Sequence, residues 1–248
     1  MVGVNIALGT SMRSVAIAAL LIGALGAPLG CVEADLPTDD PTAPRGDGKA
    51  DGTELQRIVV TGFGPYQHVT ENESGETAKL LGATQLAGAT IEYRILEVSP
   101  EAIDAFIAEM EIVKPAVIIS LGYEGVSQLE ERPQNRLESG GNGLGAAWAG
   151  RPVVEGAPAE LKTDLPTDVV DQALKSFGFR RKIKTARLDR DYEPTHDGYI
   201  CNYLAYQLSV TFGEAPATAA GFFHVNSRRV ADQLRAVMVA VAEHQRAR

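Results

Sequence analysis

From Arg57 onward the chain switches repeatedly between short apolar runs and longer amphipathic stretches. Arg57-Ile58-Val59-Val60-Thr61-Gly62-Phe63 is a compact apolar run closed by glycine, the pattern of a strand buried on both faces. Residues 74–86, with Ala78, Leu81 and Leu86 on one side, predict a helix, and 91–98 alternates like a strand. Pro100 opens an amphipathic helix through Ile112, with Ile103, Phe106, Ile107 and Met110 on its inner face and proline at its first turn. Residues 116–121 are continuously apolar and predict a central strand. Residues 122–148 are rich in Gly, Glu, Gln and Asn and read as a long irregular segment, a kind that is usually functional in a compact domain. Its run Gly140-Gly141-Asn142-Gly143-Leu144-Gly145 lacks the strand-then-helix setting of a phosphate loop and reads as a lid or turn.

Further on, the pattern predicts a short strand at Val153-Val154, a helix over 166–177 and an alternating strand over 182–188. It then predicts a helix after Cys201 (Leu204, Ala205, Leu208, Phe212), a strand over 217–225 and a last helix over 227–244. Strands alternating with helices imply an α/β fold: a single three-layer α/β/α domain on a mostly parallel twisted sheet. Ligands in such sheets sit beyond the carboxyl ends of the strands. Phe63, the loop after Leu121, and His224 all fall at such ends, so one site is expected there.

The N-terminal 56 residues alter the picture. Residues 14–30 are apolar, follow Met12-Arg13 and end at Cys31, which reads as a secretory signal over 1–31. Pro28-Leu29-Gly30-Cys31 is similar to a bacterial lipoprotein signal, with Cys31 as a possible lipid anchor. The expected location is the cell envelope or periplasm; a mis-called start would instead leave the protein in the cytoplasm. Residues 32–56 are acidic, contain Pro37, Pro41 and Pro44, and read as a disordered tether. The folded domain is then 57–248. The net charge of −9 speaks against nucleic acid as a partner.

The chain has two cysteines. With Cys31 lipidated or removed, Cys201 stands alone, and a lone thiol in an exported protein raises a functional question. Asp197-Gly198 is a turn, so Cys201 falls at the start of a helix, where the partial positive charge favours a thiolate. His224 closes the apolar run Gly221-Phe222-Phe223-His224-Val225 and is placed to be its base. His196, His68 and His244 read as surface positions. Histidines and cysteines are too few and scattered for a structural zinc site, and no cofactor is called for.

Several short stretches, in order, resemble the pyroglutamyl-peptidase I (pyrrolidone-carboxylate peptidase) family over most of 57–226. Gly62-Phe63-Gly64-Pro65-Tyr66 is similar to that family's Gly-Phe-x-Pro-Phe, and Asn72-Glu73-Ser74 to its Asn-Pro-Ser/Thr. Gly156-Ala157-Pro158 and Thr163-Asp164-Leu165-Pro166 resemble a mid-chain family stretch. Tyr199-Ile200-Cys201-Asn202 resembles the nucleophile motif, and Gly221 to Val225 the catalytic-histidine motif. The resemblance implies a cysteine peptidase that removes an N-terminal pyroglutamyl residue from small peptide substrates. Cys201 is then the nucleophile, His224 the base, and Glu131, of the family-like Glu131-Arg132, the triad acid; its neighbour Glu130 stays open as the rival. Phe63 and Tyr66 would sandwich the lactam, with Asn72 as a polar contact.

This sequence also departs from the family. The loop between Gly122 and Glu131 is shorter and lacks the usual arginine, Pro133 follows Arg132, and the stretch before Cys201 is compressed. Two alternatives therefore stay open: a pyroglutamyl-peptide-binding protein of the same fold with impaired catalysis, and a cysteine hydrolase with another acyl specificity. The oligomeric state is not legible.

Overall fold

A computed structural model describes residues 55–137, 148–180, 182–183 and 199–248. The leader with Cys31, nearly all of the 32–56 tether, the 140–145 glycine run, most of the 182–188 strand, and His196 with the Asp197-Gly198 turn lie outside these residues. The described residues all belong to one compact unit.

Its elements are β1 (Gln56–Phe63), α1 (Glu73–Gly82), β2 (Ala89–Leu96), α2 (Pro100–Val113), β3 (Val117–Tyr123), β4 (Gln128–Glu130), α3 (Thr167–Lys175), α4 (Ile200–Phe212), β5 (Ala219–Val225) and α5 (Ala231–Arg246). The strands form one five-stranded sheet in the order β2-β1-β3-β5-β4. The pairs β1–β2, β1–β3 and β3–β5 are parallel, and among the described strands only β4 runs antiparallel, against β5. The central strands are apolar on both sides because helices cover both faces.

Side chains alternate along each strand, and the two cores follow that parity. Ile58, Val60, Ile119, Leu121, Phe223 and Val225 pack with α1, α3 and α5, while Val59, Phe63, Ile118, Ala220 and Phe222 pack with α2 and α4. His224 has the parity of Phe222, so it belongs to the α2/α4 face.

The helix ends have identifiable stop and start signals. Asn72 caps α1 by accepting from the Ser74 amide at 3.1 Å, and Ser99 caps α2 by accepting from the Ala102 amide at 3.3 Å; such caps contribute about 1 kcal/mol each. The expected 74–86 helix ends at Gly82, where the Ala83 amide closes the last turn on Lys79. The start of α1 presses on the end of β1. A β-carbon on Gly62 would run into the Ser74 carbonyl, and the Phe63 amide donates to Ser74 Oγ at 3.1 Å.

Two expectations fail here. Val153-Val154 is no strand; both residues sit in bends. The Asn135 side chain holds them instead, accepting from the Val154 amide at 2.9 Å and donating to the Val154 and Ala157 carbonyls at 2.8 and 3.0 Å. The segment 122–148 is not wholly irregular, since β4 lies within it.

Candidate active site

Beyond the carboxyl ends of β1, β3 and β5 lies a cavity of about 450 Å³. Phe63, Tyr66, Asn72, Cys201 and His224 all line it, together with Val98, Tyr123, Glu124 and Tyr199.

Cys201 is the second residue of α4, whose N-cap is the extended Tyr199. The first amides of a helix have no partner within it and carry partial positive charge, so the thiol stands beside ready donors. Its place is set by a glycine. A β-carbon on Gly122 would meet Cys201 Sγ at 2.7 Å and Phe222 Cζ at 2.5 Å. The sulfur therefore sits over Gly122, and Gly122 is the β3 residue in register with His224. Strand pairing thus sets the imidazole one strand over from the glycine that the sulfur covers.

His224 is buried, 4 % exposed, and its ring packs edge-on to Phe222 with centroids 5.1 Å apart. Two carboxylates flank it. Glu124 Oε2 lies 3.0 Å from Nδ1, and Glu130 Oε2 lies 3.4 Å from Nε2. Burial alone would lower the ring's pKa, but the two acids outweigh it and raise the pKa to about 9, so the ring holds its proton at neutral pH.

The thiol moves opposite to expectation. Burial, then the negative charges of Glu124 and Glu130, push Cys201 up to about 12. The helix start does not overcome them. At neutral pH both groups therefore hold their protons, Cys201 as a thiol and His224 as an imidazolium.

Of the two neighbouring glutamates, Glu130 puts its carboxylate at the imidazole, 3.4 Å from Nε2. The register β4–β5 sets Glu130 opposite Phe222 and Leu129 opposite Phe223. Glu130 therefore shares the face of Phe222 and His224. Glu131 is buried, 1 % exposed, and its carbonyl accepts from the Thr163 amide at 3.0 Å.

Asn72 is at the cavity but its amide is engaged in holding the wall. It donates to the Gly64 carbonyl at 3.0 Å and accepts from Ser74 Oγ at 2.7 Å. Tyr66 is half-buried, and its hydroxyl accepts from Gln67 Nε2 at 2.5 Å. Gln67 itself takes a left-handed backbone, φ 49°, in the tight Tyr66–Val69 turn; strain of this kind recurs at ligand sites. His68, expected on the surface, is exposed and also borders the cavity.

Asn202, adjacent to the thiol, clamps the loop after β4. It accepts from the Gln134 amide at 2.8 Å and donates to the Gln134 and Arg136 carbonyls at 2.8 and 3.1 Å. Glu124 and Tyr123 had no mark in the sequence beyond their nearness to Gly122, and Tyr199 only its place in the Tyr199-Ile200-Cys201-Asn202 motif. Among the described residues no group of three or more His, Cys, Asp or Glu is arranged to hold a metal ion.

A cavity at the carboxyl edge of a mostly parallel sheet, with a helix-start thiol and a buried imidazole held by carboxylates, has the make-up of an α/β cysteine hydrolase. The chain belongs to the pyroglutamyl peptidase family, whose profile matches residues 56–236. The pyrrolidone-carboxylate peptidase of Klebsiella pneumoniae (strain 342) is 27% identical over 173 residues, which cover 68% of this chain and 77% of the relative. That of Mycobacterium tuberculosis (strain ATCC 25618 / H37Rv) is 29% identical over 160 residues, 61% of this chain and 68% of the relative. Among solved structures, pyroglutamyl peptidase I of Bacillus amyloliquefaciens superposes with a TM-score of 0.62 at 22% identity, covering 77% of this chain and 98% of the other. The pyrrolidone carboxyl peptidase of Thermococcus litoralis gives 0.65 at 19% identity, over 78% and 96%. These two share the fold.

Proposed function

We propose that the chain removes an N-terminal pyroglutamyl residue from peptides, with Cys201 as nucleophile, His224 as base and Glu130 as the acid that orients the imidazole. Family membership supports the substrate class. The observation that carries the residue roles is a convergence: Cys201 and His224 line one cavity, the sulfur sits over Gly122, the imidazole is in register with Gly122, and Glu130 reaches the imidazole.

In this reading the lactam ring enters between Phe63 and Tyr66. The thiol passes its proton to neutral His224, and Sγ attacks the pyroglutamyl carbonyl carbon. The oxyanion is received by the free amides at the start of α4. His224 returns the proton to the departing amine as the C–N bond breaks, leaving a thioester on Cys201. Water, deprotonated by His224, cleaves the thioester and releases free pyroglutamate. Glu130 favours the charged ring formed at each proton transfer.

The base works only after losing its proton. With a ring pKa of about 9, kcat/KM should rise with pH, about tenfold per unit well below that value, and level off above it. The direct test is release of a fluorogenic amine from a pyroglutamyl amide under reducing conditions. Turnover by the wild type and none by C201A is expected. Equal turnover by C201A, or a glutaminyl amide cleaved as well as the pyroglutamyl one, would overturn the proposal. A pocket that pairs both the N–H and C=O of the lactam should reject the open-chain residue strongly.

The leader completes the proposal. Residues 1–31 direct export, and Cys31 receives a lipid. Metabolic labelling with a fatty acid should mark the wild type and not C31S; equal labelling of the two, or none, counts against the anchor.

A further inference from the structure

We propose that Glu124 is a second positioning carboxylate for His224, one that keeps the thiol–imidazole pair in its resting state until the proton on the ring is removed. This inference rests on reading Cys201 and His224 as the reacting pair.

The geometry is specific. Glu124 follows β3 directly, and its amide donates to the Val225 carbonyl at 3.0 Å, which fixes the backbone beside β5. Its Oε2 reaches Nδ1 of the imidazole at 3.0 Å, closer than Glu130 approaches Nε2 at 3.4 Å. Its side chain is 17% exposed, and the residue lines the same cavity as Cys201. One carboxylate therefore faces the ring, the sulfur and the space where an acyl group enters.

A single acid is enough to orient an imidazole and favour its charged form. A second acid on the opposite ring nitrogen makes that charged form persist and also opposes a negative sulfur. Among the described residues, the ionisable groups around His224 are Glu124 from the β3–β4 loop, Glu130 from β4 and Cys201 from α4. Tyr66 and His68 from the 64–72 loop, Tyr123 from β3 and Tyr199 before α4 share the cavity. Glu124 and Glu130 are the charges that act on both members of the pair.

The test needs no substrate. Alkylation of Cys201 by iodoacetamide is followed from pH 6 to 10 in the full chain with Cys31 replaced by Ser, for wild type, E124Q and E124D. Wild type should react slowly at neutral pH. E124Q should carry its alkylation limb acidward by at least about one pH unit, as expected when a charge at this distance is removed. It should therefore react about tenfold faster at pH 7, while E124D should keep its limb near the wild-type position. NMR of the imidazole should show the His224 titration midpoint falling in E124Q. Thermal melts verify that each variant is folded. Superimposable alkylation limbs and an unmoved His224 midpoint in folded E124Q would overturn the proposal. Because neither readout uses a pyroglutamyl substrate, failure here is separable from failure of the hydrolysis assay.

Discussion

Gly122 has no room for a side chain. A methyl group there would press on Cys201 Sγ and the Phe222 ring. G122A should cost about 1–3 kcal/mol of stability, in keeping with overpacked cores, and should lower kcat far more than it raises KM, because the sulfur is displaced from the attacking position. Denaturant melts and steady-state kinetics check both halves. The same scale displays what the sequence exposed and what it hid. Cys201 and His224 were legible because each closes or opens a regular element and lies in a distinctive motif. The approach of Glu130 to the imidazole was not, because it depends on the parity of a strand that the local pattern does not announce. Glu124 was hidden for a related reason: only the pairing of β3 with β5 brings it against the imidazole.

At the level of elements, β4 is the informative miss. Gln128-Leu129-Glu130 is short and mostly polar, and its strand character comes from pairing with β5 rather than from intrinsic preference. Val153-Val154 erred the other way. Two β-branched residues suggested a strand, but the Asn135 amide occupies the Val154 backbone groups that a strand partner would need. The long parallel strands and the helices α2, α4 and α5 were legible because their apolar periodicity is tied to burial on a definite face. The loop after β4 depends on side-chain clamps, and Asn202 ties it to the start of α4. N202A would leave the Gln134 amide and the Gln134 and Arg136 carbonyls short of partners. It should destabilise by about 1–3 kcal/mol and reduce turnover by loosening the backbone that follows Glu130. N202D, which keeps an acceptor for the Gln134 amide but loses both donors, should fall between the two in melting temperature. A wild-type melt for N202A would show the clamp to be dispensable.

Across the whole molecule, His224 and Asp164 hold protons more tightly than they would in an unfolded chain. His224 is raised from 6.5 to about 9 by Glu124 and Glu130 against its burial. Between those values the folded state binds more protons than the unfolded state, so this contribution is full below about pH 6.5 and is lost as pH rises through about 9. Asp164 is raised from 3.8 to about 7, chiefly by burial, so its ionisation in the fold also lowers stability as pH climbs between those values. Both slopes have the same sign. The melting temperature should fall from pH 6.5 to 9.5, and H224N should flatten the upper part of that fall. D164N should raise the melting temperature at pH 8 relative to wild type and change it little at pH 4. A melting temperature that climbs steadily from pH 6.5 to 9.5 would contradict the linkage.

The most direct measurement is the mass of the covalent intermediate. Wild-type protein mixed with a pyroglutamyl ester and quenched in acid within the first turnover should gain the mass of one pyroglutamyl group, and digestion should locate it on the peptide containing Cys201. An adduct on any other residue, or turnover with no adduct under conditions that accumulate a thioester, would contradict the assignment of Cys201 as the nucleophile.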